Sequence, residues 1–375
     1  MGKNNKKIKL ILFLTSKSSI ARWNELGTLN RELYLYKKIY HKNIETEVVS
    51  YGGNRDYNLR KKIKPIIAHS LLWEDDEQKL LENLVKKYKN VFTKADLFKT
   101  NQVKGSEIAL KIGNYFKKPV IVRAGYLPSR HPKPGDESTI KKAEKYNFAK
   151  STICFVTTED NKKYLIKKYN IVKGKIFVVP NYVDYSIFKP IKVNKNYDIS
   201  YVGRGSEEKN VMLILNTLLS LKKEGLSLRV LMIGSCSRKD TLRDFSKRNK
   251  LDVEWMGSIP NEKLPYYLNQ SKIFILPSRY EGHPKALLEA MSCGLACIGT
   301  NVEGIRNVIK NMDNGLLSKS NIKDLSHNIK LLISNKKLRK TIGKKAREYV
   351  KINFSFKDLT KKEMGLYYHA LKLAQ

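Results

Sequence analysis

Glu281 and Glu289 stand eight residues apart, with Gly282-His283-Pro284 between them. Pro284 suits the first position of a helix, because a proline there gives up no helical hydrogen bond. Gly294 suits the end of that helix. The apolar run Ile273-Phe274-Ile275-Leu276 just upstream reads as a buried parallel strand. The stretch therefore reads strand, loop, helix, with Glu281 in the loop and Glu289 about two turns into the helix. The unpaired N–H groups of residues 282–286 face the strand's carboxyl end, where an anionic ligand is favoured. A second group of chemically capable residues is Gly203-Arg204 with Glu208-Lys209-Asn210, after the strand-like Asp198-Ile199-Ser200-Tyr201-Val202. Arginine brings a planar fork of donors and lysine a point charge. The plainer alternatives are a helix-capping carboxylate for Glu281, an exposed helix residue for Glu289, and surface ion pairs for Arg204 and Lys209.

The elements around them alternate. Strand-like runs begin at Ile8, Glu45, Ile66, Pro119, Thr152 and Lys175, and Val91-Phe92 with Asp96-Leu97-Phe98-Lys99 flank a further strand, with helical periodicity between the runs. Residues 180–195 show little periodicity and read as a connection. A second alternation follows, with strands near 198–202, 228–233, 253–256, 273–276 and 296–300. Basic helices fill 323–351, and an amphipathic helix over 356–373 presents Leu359, Met364, Tyr367 and Leu371. This order predicts an α/β protein with two doubly wound parallel-sheet domains, 1–183 and 184–355, the tail 356–375 packing back on the first. Trp23 to Leu33 reads as a strand-to-helix turn at Gly27 leading into a helix with Leu26, Leu29, Leu33 and Tyr36 on one side. A glycine there lets backbone approach a phosphate or sugar, and equally makes a simple turn.

The 375 residues carry a net charge of +38, which would attract nucleic acid, an anionic membrane surface or an acidic substrate. The excess is spread along the chain, as in a lysine-rich proteome, and the signatures of RNA-recognition modules, zinc fingers and basic zippers are missing. No apolar stretch approaches a membrane span. Lys9 interrupts the apolar run after the basic start, which favours a first strand over a signal peptide. Cys154, Cys236, Cys293 and Cys297 lack metal-site spacing and read as reduced packing residues of a cytoplasmic protein.

Four segments resemble the retaining nucleotide-sugar glycosyltransferases of the GT-B fold (glycosyltransferase family 4, glycosyl transferases group 1). Pro180-Asn181-Tyr182-Val183-Asp184 is similar to the family's Pro-Asn-Gly-Val-Asp segment, with Tyr182 in the glycine's place. Gly203-Arg204 with Glu208-Lys209-Asn210 resembles its phosphate loop. Glu281 to Glu289 is similar to its Glu-x7-Glu motif, and Leu338 to Ser355 to its C-terminal helix pattern. The resemblance runs from about residue 176 to 356. It implies two domains facing a cleft, with the donor on the second and the acceptor on the first.

By that resemblance Arg204, Lys209 and Glu281 carry catalysis. Gly203, Arg204, Lys209, Glu281, Gly282, His283, Pro284, Leu288 and Glu289 bind the donor, Glu289 at the ribose hydroxyls and Glu281 at the sugar ring. His283 reads equally well as an exposed loop histidine. Gly27, Thr28, Arg123 and Gly125 are candidates for an acceptor or phosphate loop. The implied reaction moves a hexose from a UDP- or GDP-sugar to a glycan or lipid-linked acceptor with retention, in cell-surface polysaccharide or lipopolysaccharide synthesis. It needs no metal or cofactor: a diphosphate that gains charge as its bond breaks is met by cations and oriented N–H groups. The partners expected are the nucleotide-sugar, the acceptor and an anionic membrane surface, with no specific nucleic acid. An epimerase or phosphorylase on the same fold, or a basic nucleic-acid-binding protein, are the alternatives. Two departures stand out. Arg123-Ala124-Gly125-Tyr126 occupies the place where many members carry a histidine, and Glu303-Gly304-Ile305 replaces a Gly-Gly…Glu pattern.

Overall fold

A computed structural model describes residues 7–132, 135–235 and 239–375. They divide into two compact units: the chain up to Val179 together with Thr360–Gln375, and Pro180–Leu359.

The first unit is built on seven strands, β1 (Ile8–Phe13), β2 (Ile44–Ser50), β3 (Ile67–Ser70), β4 (Leu97–Thr100), β5 (Val120–Ala124), β6 (Ile153–Val156) and β7 (Ile176–Val178). All pair in parallel, in the order β3-β2-β1-β4-β5-β6-β7. Parallel neighbours need crossovers, and helical crossovers cover both faces. Accordingly β4, β5 and β6 are buried along their whole length. The second unit repeats the plan with β8 (Tyr197–Val202), β9 (Val230–Ile233), β10 (Val253–Gly257), β11 (Ser271–Leu276), β12 (Ala296–Thr300) and β13 (Leu316–Ser318), ordered β10-β9-β8-β11-β12-β13. In each sheet the chain winds outward from its first strand, returns, and winds the other way, leaving a crevice beside that strand's carboxyl end.

Three local expectations change. Val91 and Phe92 belong to the helix Glu77–Lys94, where Phe92 is fully buried beside Phe13 and Phe98. The three-residue β13 lacks the length for a periodic signal and was not expected from the sequence. Gly27 does not follow a strand. It lies at φ +69° between the helices Ile20–Glu25 and Leu29–Tyr40, and the Thr28 N–H closes that turn on the Trp23 carbonyl at 2.8 Å.

The tail helix, Phe356–Leu373, buries Leu359, Thr360, Glu363, Tyr367 and Ala370, so a carboxylate replaces Met364 in the expected stripe. Glu363 is satisfied there. Its Oε1 lies 3.0 Å from Lys99 Nζ on β4 and accepts from the Tyr367 hydroxyl at 2.7 Å. Lys99 also donates to the Tyr36 hydroxyl at 2.6 Å. Both charged side chains are 2% exposed, so neither has water as a substitute partner. Burial pushes the Glu363 carboxyl up, but the Lys99 and Arg123 charges and the Tyr367 hydroxyl outweigh it and hold the group below its ordinary value. The Lys99 ammonium lies below its ordinary value: burial lowers it, Glu363 opposes, and Arg123 adds to the lowering. With two cations facing one carboxylate, the carboxylate is the better held of the pair.

Glu363→Ala leaves Lys99 buried without its counter-ion and is expected to cost about 3–5 kcal/mol of stability by denaturant melts, whereas Lys99→Met with Glu363→Leu restores most of it. A carboxyl whose folded pKa is depressed stabilises fully above its unfolded value of about 4.3 and loses that contribution as pH falls through the folded value. The stability gap between wild type and Glu363→Gln should therefore narrow on acidification below that value. A gap independent of pH would refute the assignment.

Candidate active site

The crevice of the second sheet lies beside β8 and β11, which pair directly, Ile199 against Ile273 and Phe274 against Ser200. The loops leaving their carboxyl ends carry both chemically capable groups. They are tied together by a backbone hydrogen bond, Arg279 N to Glu208 O at 2.8 Å, and by an ion pair, Lys209 Nζ to Glu281 Oε1 at 2.5 Å. The lysine side chain is 19% exposed and the glutamate 9%, so this pair is better shielded than an ordinary surface bridge. Glu281 Oε1 also accepts from the Ser278 hydroxyl at 2.7 Å, and the Ser278 carbonyl accepts from the Thr300 hydroxyl at the end of β12. The carboxylate therefore does not cap the helix that follows.

Arg204 pairs with Glu208 at 3.1 Å, but its side chain is 66% exposed. Burial pushes the Glu208 carboxyl up, and the Ser206 hydroxyl, a backbone N–H and the charges of Arg204 and Lys209 more than offset it, leaving the group below its ordinary value. The loop that holds these residues is shaped by Gly203, whose N–H bonds to the Ile233 carbonyl at 2.9 Å. Gly234, at φ +132°, lies against it, and a Cβ there would fall 2.0 Å from the Gly203 carbonyl oxygen. Asn210 turns the chain at φ +50° into the helix Val211–Lys223.

On the other side, Pro284 precedes the helix Lys285–Ser292 by one residue, and Gly294 follows it at φ +77°. Glu289 is not an exposed helix residue. It is 3% exposed and accepts from Asn261 Nδ2 at 2.9 Å. Leu288, beside it, is fully buried in the core and offers no surface to a ligand. His283 is likewise not exposed: its ring packs edge-on against Phe354 at 4.9 Å, and its carbonyl accepts from Asn181 Nδ2 at 2.6 Å. Gly304 backs the loop. A Cβ on it would fall 2.4 Å from the Glu281 carbonyl oxygen and 2.5 Å from that of Gly282. The site thus gathers two cations, Arg204 and Lys209, three carboxylates, Glu208, Glu281 and Glu289, and a helix N-terminus around one crevice. That set can hold a diphosphate and accept from hydroxyls in the same ligand.

Residues 183–349 match the family model described as glycosyl transferases group 1. That stretch, most of the second unit, is similar to the group 1 glycosyltransferases. An uncharacterized glycosyltransferase of Methanocaldococcus jannaschii is 25% identical over 321 residues, covering 78% of this chain and 88% of that protein. An Escherichia coli UDP-Gal:alpha-D-GlcNAc-diphosphoundecaprenol alpha-1,3-galactosyltransferase is 28% identical over 229 residues, with 56% of this chain and 58% of that protein's length matched. The solved structure of Anabaena HepE in complex with UDP-glucose superposes with a TM-score of 0.78 at 15% identity, over 95% of this chain and 98% of that one. Its fold is the GT-B fold, and this chain shares it.

In the first unit the remaining candidates are dispersed. The Thr28 hydroxyl serves its own turn, donating to the Trp23 carbonyl at 3.3 Å. Arg123 is buried on β5, reaches the Val179 carbonyl at 3.4 Å and adds to the field around Glu363. Gly125 donates its N–H to Gln102 Oε1 at 2.9 Å. Asn181, Asn261 and Gly304 position the site without having been singled out for that part by the sequence, because each acts on residues distant in the chain, and Ser278, which orients Glu281 from three residues away, was likewise not singled out. Burial raises the thiols of Cys154, to about 11, and of Cys293 and Cys297, so all three are protonated packing groups, while Cys236 lies outside the described residues.

Gly304→Ala should cost about 1–3 kcal/mol, since backbone on both sides must move to admit the methyl. Gly365→Ala, in the tail helix with nothing within 4 Å of its Cβ, should be neutral or stabilising by up to about 1 kcal/mol. Thermal melts of the two variants check the contrast, and equal effects would rule out Gly304 as the loop's support.

Proposed function

We propose that the chain transfers a hexose from a UDP- or GDP-sugar to a glycan or lipid-linked acceptor with retention of configuration, in the synthesis of a cell-surface polysaccharide or lipopolysaccharide. The observation that carries this is the Lys209–Glu281 pair at the crevice between β8 and β11, inside the group 1 domain. The second unit takes the donor and the first the acceptor. Arg204 and Lys209 meet the diphosphate, whose charge grows as the glycosidic bond breaks. Glu289 accepts from the ribose hydroxyls and Glu281 from the sugar ring, with the backbone of Gly203, Gly282, His283 and Pro284 lining the pocket. The residues charged with stabilising the leaving group are organic cations, so the reading requires no metal ion and no cofactor. HepE, solved with UDP-glucose, and the E. coli relative, whose name specifies a UDP-sugar and a diphosphoundecaprenol-linked acceptor, support the donor and acceptor classes.

The reading places the enzyme in the cytoplasm, peripheral on the inner face of the membrane. No helix among the described residues is long and apolar enough to cross a bilayer. The helix Leu29–Tyr40 instead interleaves aromatic and basic groups. Lys38 lies 5.3 Å over the Tyr34 ring, Lys7 lies 4.9 Å over Tyr40, and Lys37 donates to the Lys62 carbonyl of the basic segment Arg60–Ile63. Such a face suits anionic headgroups.

A thermal-shift screen of nucleoside diphosphates is expected to show at least one that stabilises wild type, by about 2.7 kcal/mol at a concentration a hundred times its Kd. The effect should vanish in Glu289→Ala, and turnover should survive EDTA. Failure of every nucleotide would sink the transferase reading, and sugar release without an acceptor would point to an epimerase. In liposome flotation, binding to anionic but not neutral vesicles at moderate salt is expected. No flotation on either would remove the membrane from the account.

A further inference from the structure

The first unit holds a concavity of about 520 Å³ off the carboxyl ends of β2 and β3, which the donor reading leaves unused. That volume is within the range of small-molecule sites. Behind two of its lining residues, Gly52 and Ser70, lies a buried carboxylate. Asp56, with no exposed surface, accepts from Ser50 Oγ, Ser70 Oγ and Gly52 N at 2.6, 2.6 and 3.0 Å on one oxygen, and from Ala21 N at 2.8 Å on the other. Gly52 is confined by the same group, since a Cβ there would fall 2.3 Å from it. The Tyr88 and Tyr57 hydroxyls both reach the Ser70 carbonyl, at 2.8 and 3.2 Å, and fix the adjoining wall. The pocket is therefore held in shape by elements from three strands' loops.

The remaining lining tells what it would take. Asn54 and Asn83 bring amides that donate and accept, Glu74 a carboxylate that accepts, Tyr57 a phenol, and Leu72 an apolar surface that is 69% exposed. Its two cations are engaged elsewhere: Arg55 is bound to Glu25, and Lys87 lies 5.4 Å over the Tyr88 ring. Glu74 has its own cation in Lys79 at 3.5 Å, and a phosphate would have to draw Arg55 or Lys87 away from these partners. A neutral sugar ring, with hydroxyls at its edge and C–H groups on its face, matches amides, carboxylate and leucine together.

We propose that this pocket is a carbohydrate subsite for a neutral hexopyranose of the acceptor, other than the residue that receives the transferred sugar. The inference rests on reading the chain as a transferase to a glycan acceptor. Within its own sheet the pocket belongs to β2 and β3, whereas the winding reverses between β1 and β4. At about 4.8 Å per strand it stands roughly 7–12 Å to one side of that reversal, a displacement of one sugar ring or more. A subsite of this kind would select the acceptor by a residue that takes no part in bond formation.

Saturation-transfer NMR with methyl α-glycosides of glucose, galactose, mannose and N-acetylglucosamine tests this, because it registers weak binding. At least one glycoside should receive saturation from wild type and equally from Glu289→Ala. The signal should fall about fivefold in Asn83→Ala, the loss of one hydrogen bond, and further in Leu72→Asp. Both positions are exposed, and unchanged melting temperatures confirm that the variants fold. Absence of saturation with all four probes, or equal saturation in the rim variants, overturns the proposal. Nucleoside diphosphate stabilisation measured on the same proteins keeps the two readings apart. It should be untouched in Asn83→Ala, and its absence from wild type would refute the donor site whatever the sugars do.

Discussion

The second unit depends on one adjacency, the parallel pairing of β8 with β11. These strands are far apart in sequence and become neighbours only because the chain winds outward through β9 and β10 and then returns. Their loops must consequently leave the sheet side by side. One carries Lys209 and the other Glu281, and the 2.5 Å contact between them follows from that placement. An ammonium and a carboxylate so close, and mostly shielded, satisfy one another in the ligand-free protein. A diphosphate with attached hydroxyls offers each a better-suited partner: the cation gains phosphate oxygens and the carboxylate gains sugar hydroxyls. On the proposed reading the pair is the resting state of a donor site, with Ser278 keeping the carboxylate oriented while partners change.

The first unit uses buried charge for architecture. Glu363 on the tail helix is held by Lys99, Arg123 and Tyr367, and Asp56 gathers the loops after β1, β2 and β3. In both cases a carboxylate with several designated partners replaces apolar packing, and removing a single partner exposes its desolvation cost. The overall charge of +38 has a different character. It is distributed over exposed lysines, a few of them paired within a turn or over a tyrosine ring, and it acts as a field on the surroundings.

Much of this was legible in the sequence because it depends on periodicity. The helices Glu159–Tyr169, Val211–Lys223 and Phe356–Leu373 lie where apolar spacing puts them, and the Glu281–Glu289 stretch forms the expected strand, loop and helix. Contacts made at long range were not legible. Glu363 reads as a polar helix residue until Lys99 is found opposite it. His283 reads as a loop histidine until Phe354 covers it, and Glu289 as solvated until Asn261 is placed on it. Gly27 was misread because the six-residue helix Ile20–Glu25 is too short to show a period. Gly304 gives no signal in sequence, since its requirement is set by the backbone of a different loop.

The central claim is that Lys209 is the diphosphate's cation at the β8–β11 crevice. Calorimetric titration of UDP against uridine, and of GDP against guanosine, on wild type and Lys209→Met measures that role as the affinity added by the diphosphate. For the nucleotide that binds, a hydrogen bond to a charged group predicts an increment of about tenfold or more in wild type, and its collapse in the variant while the nucleoside binds as before. An increment of the same size in both proteins would contradict the account.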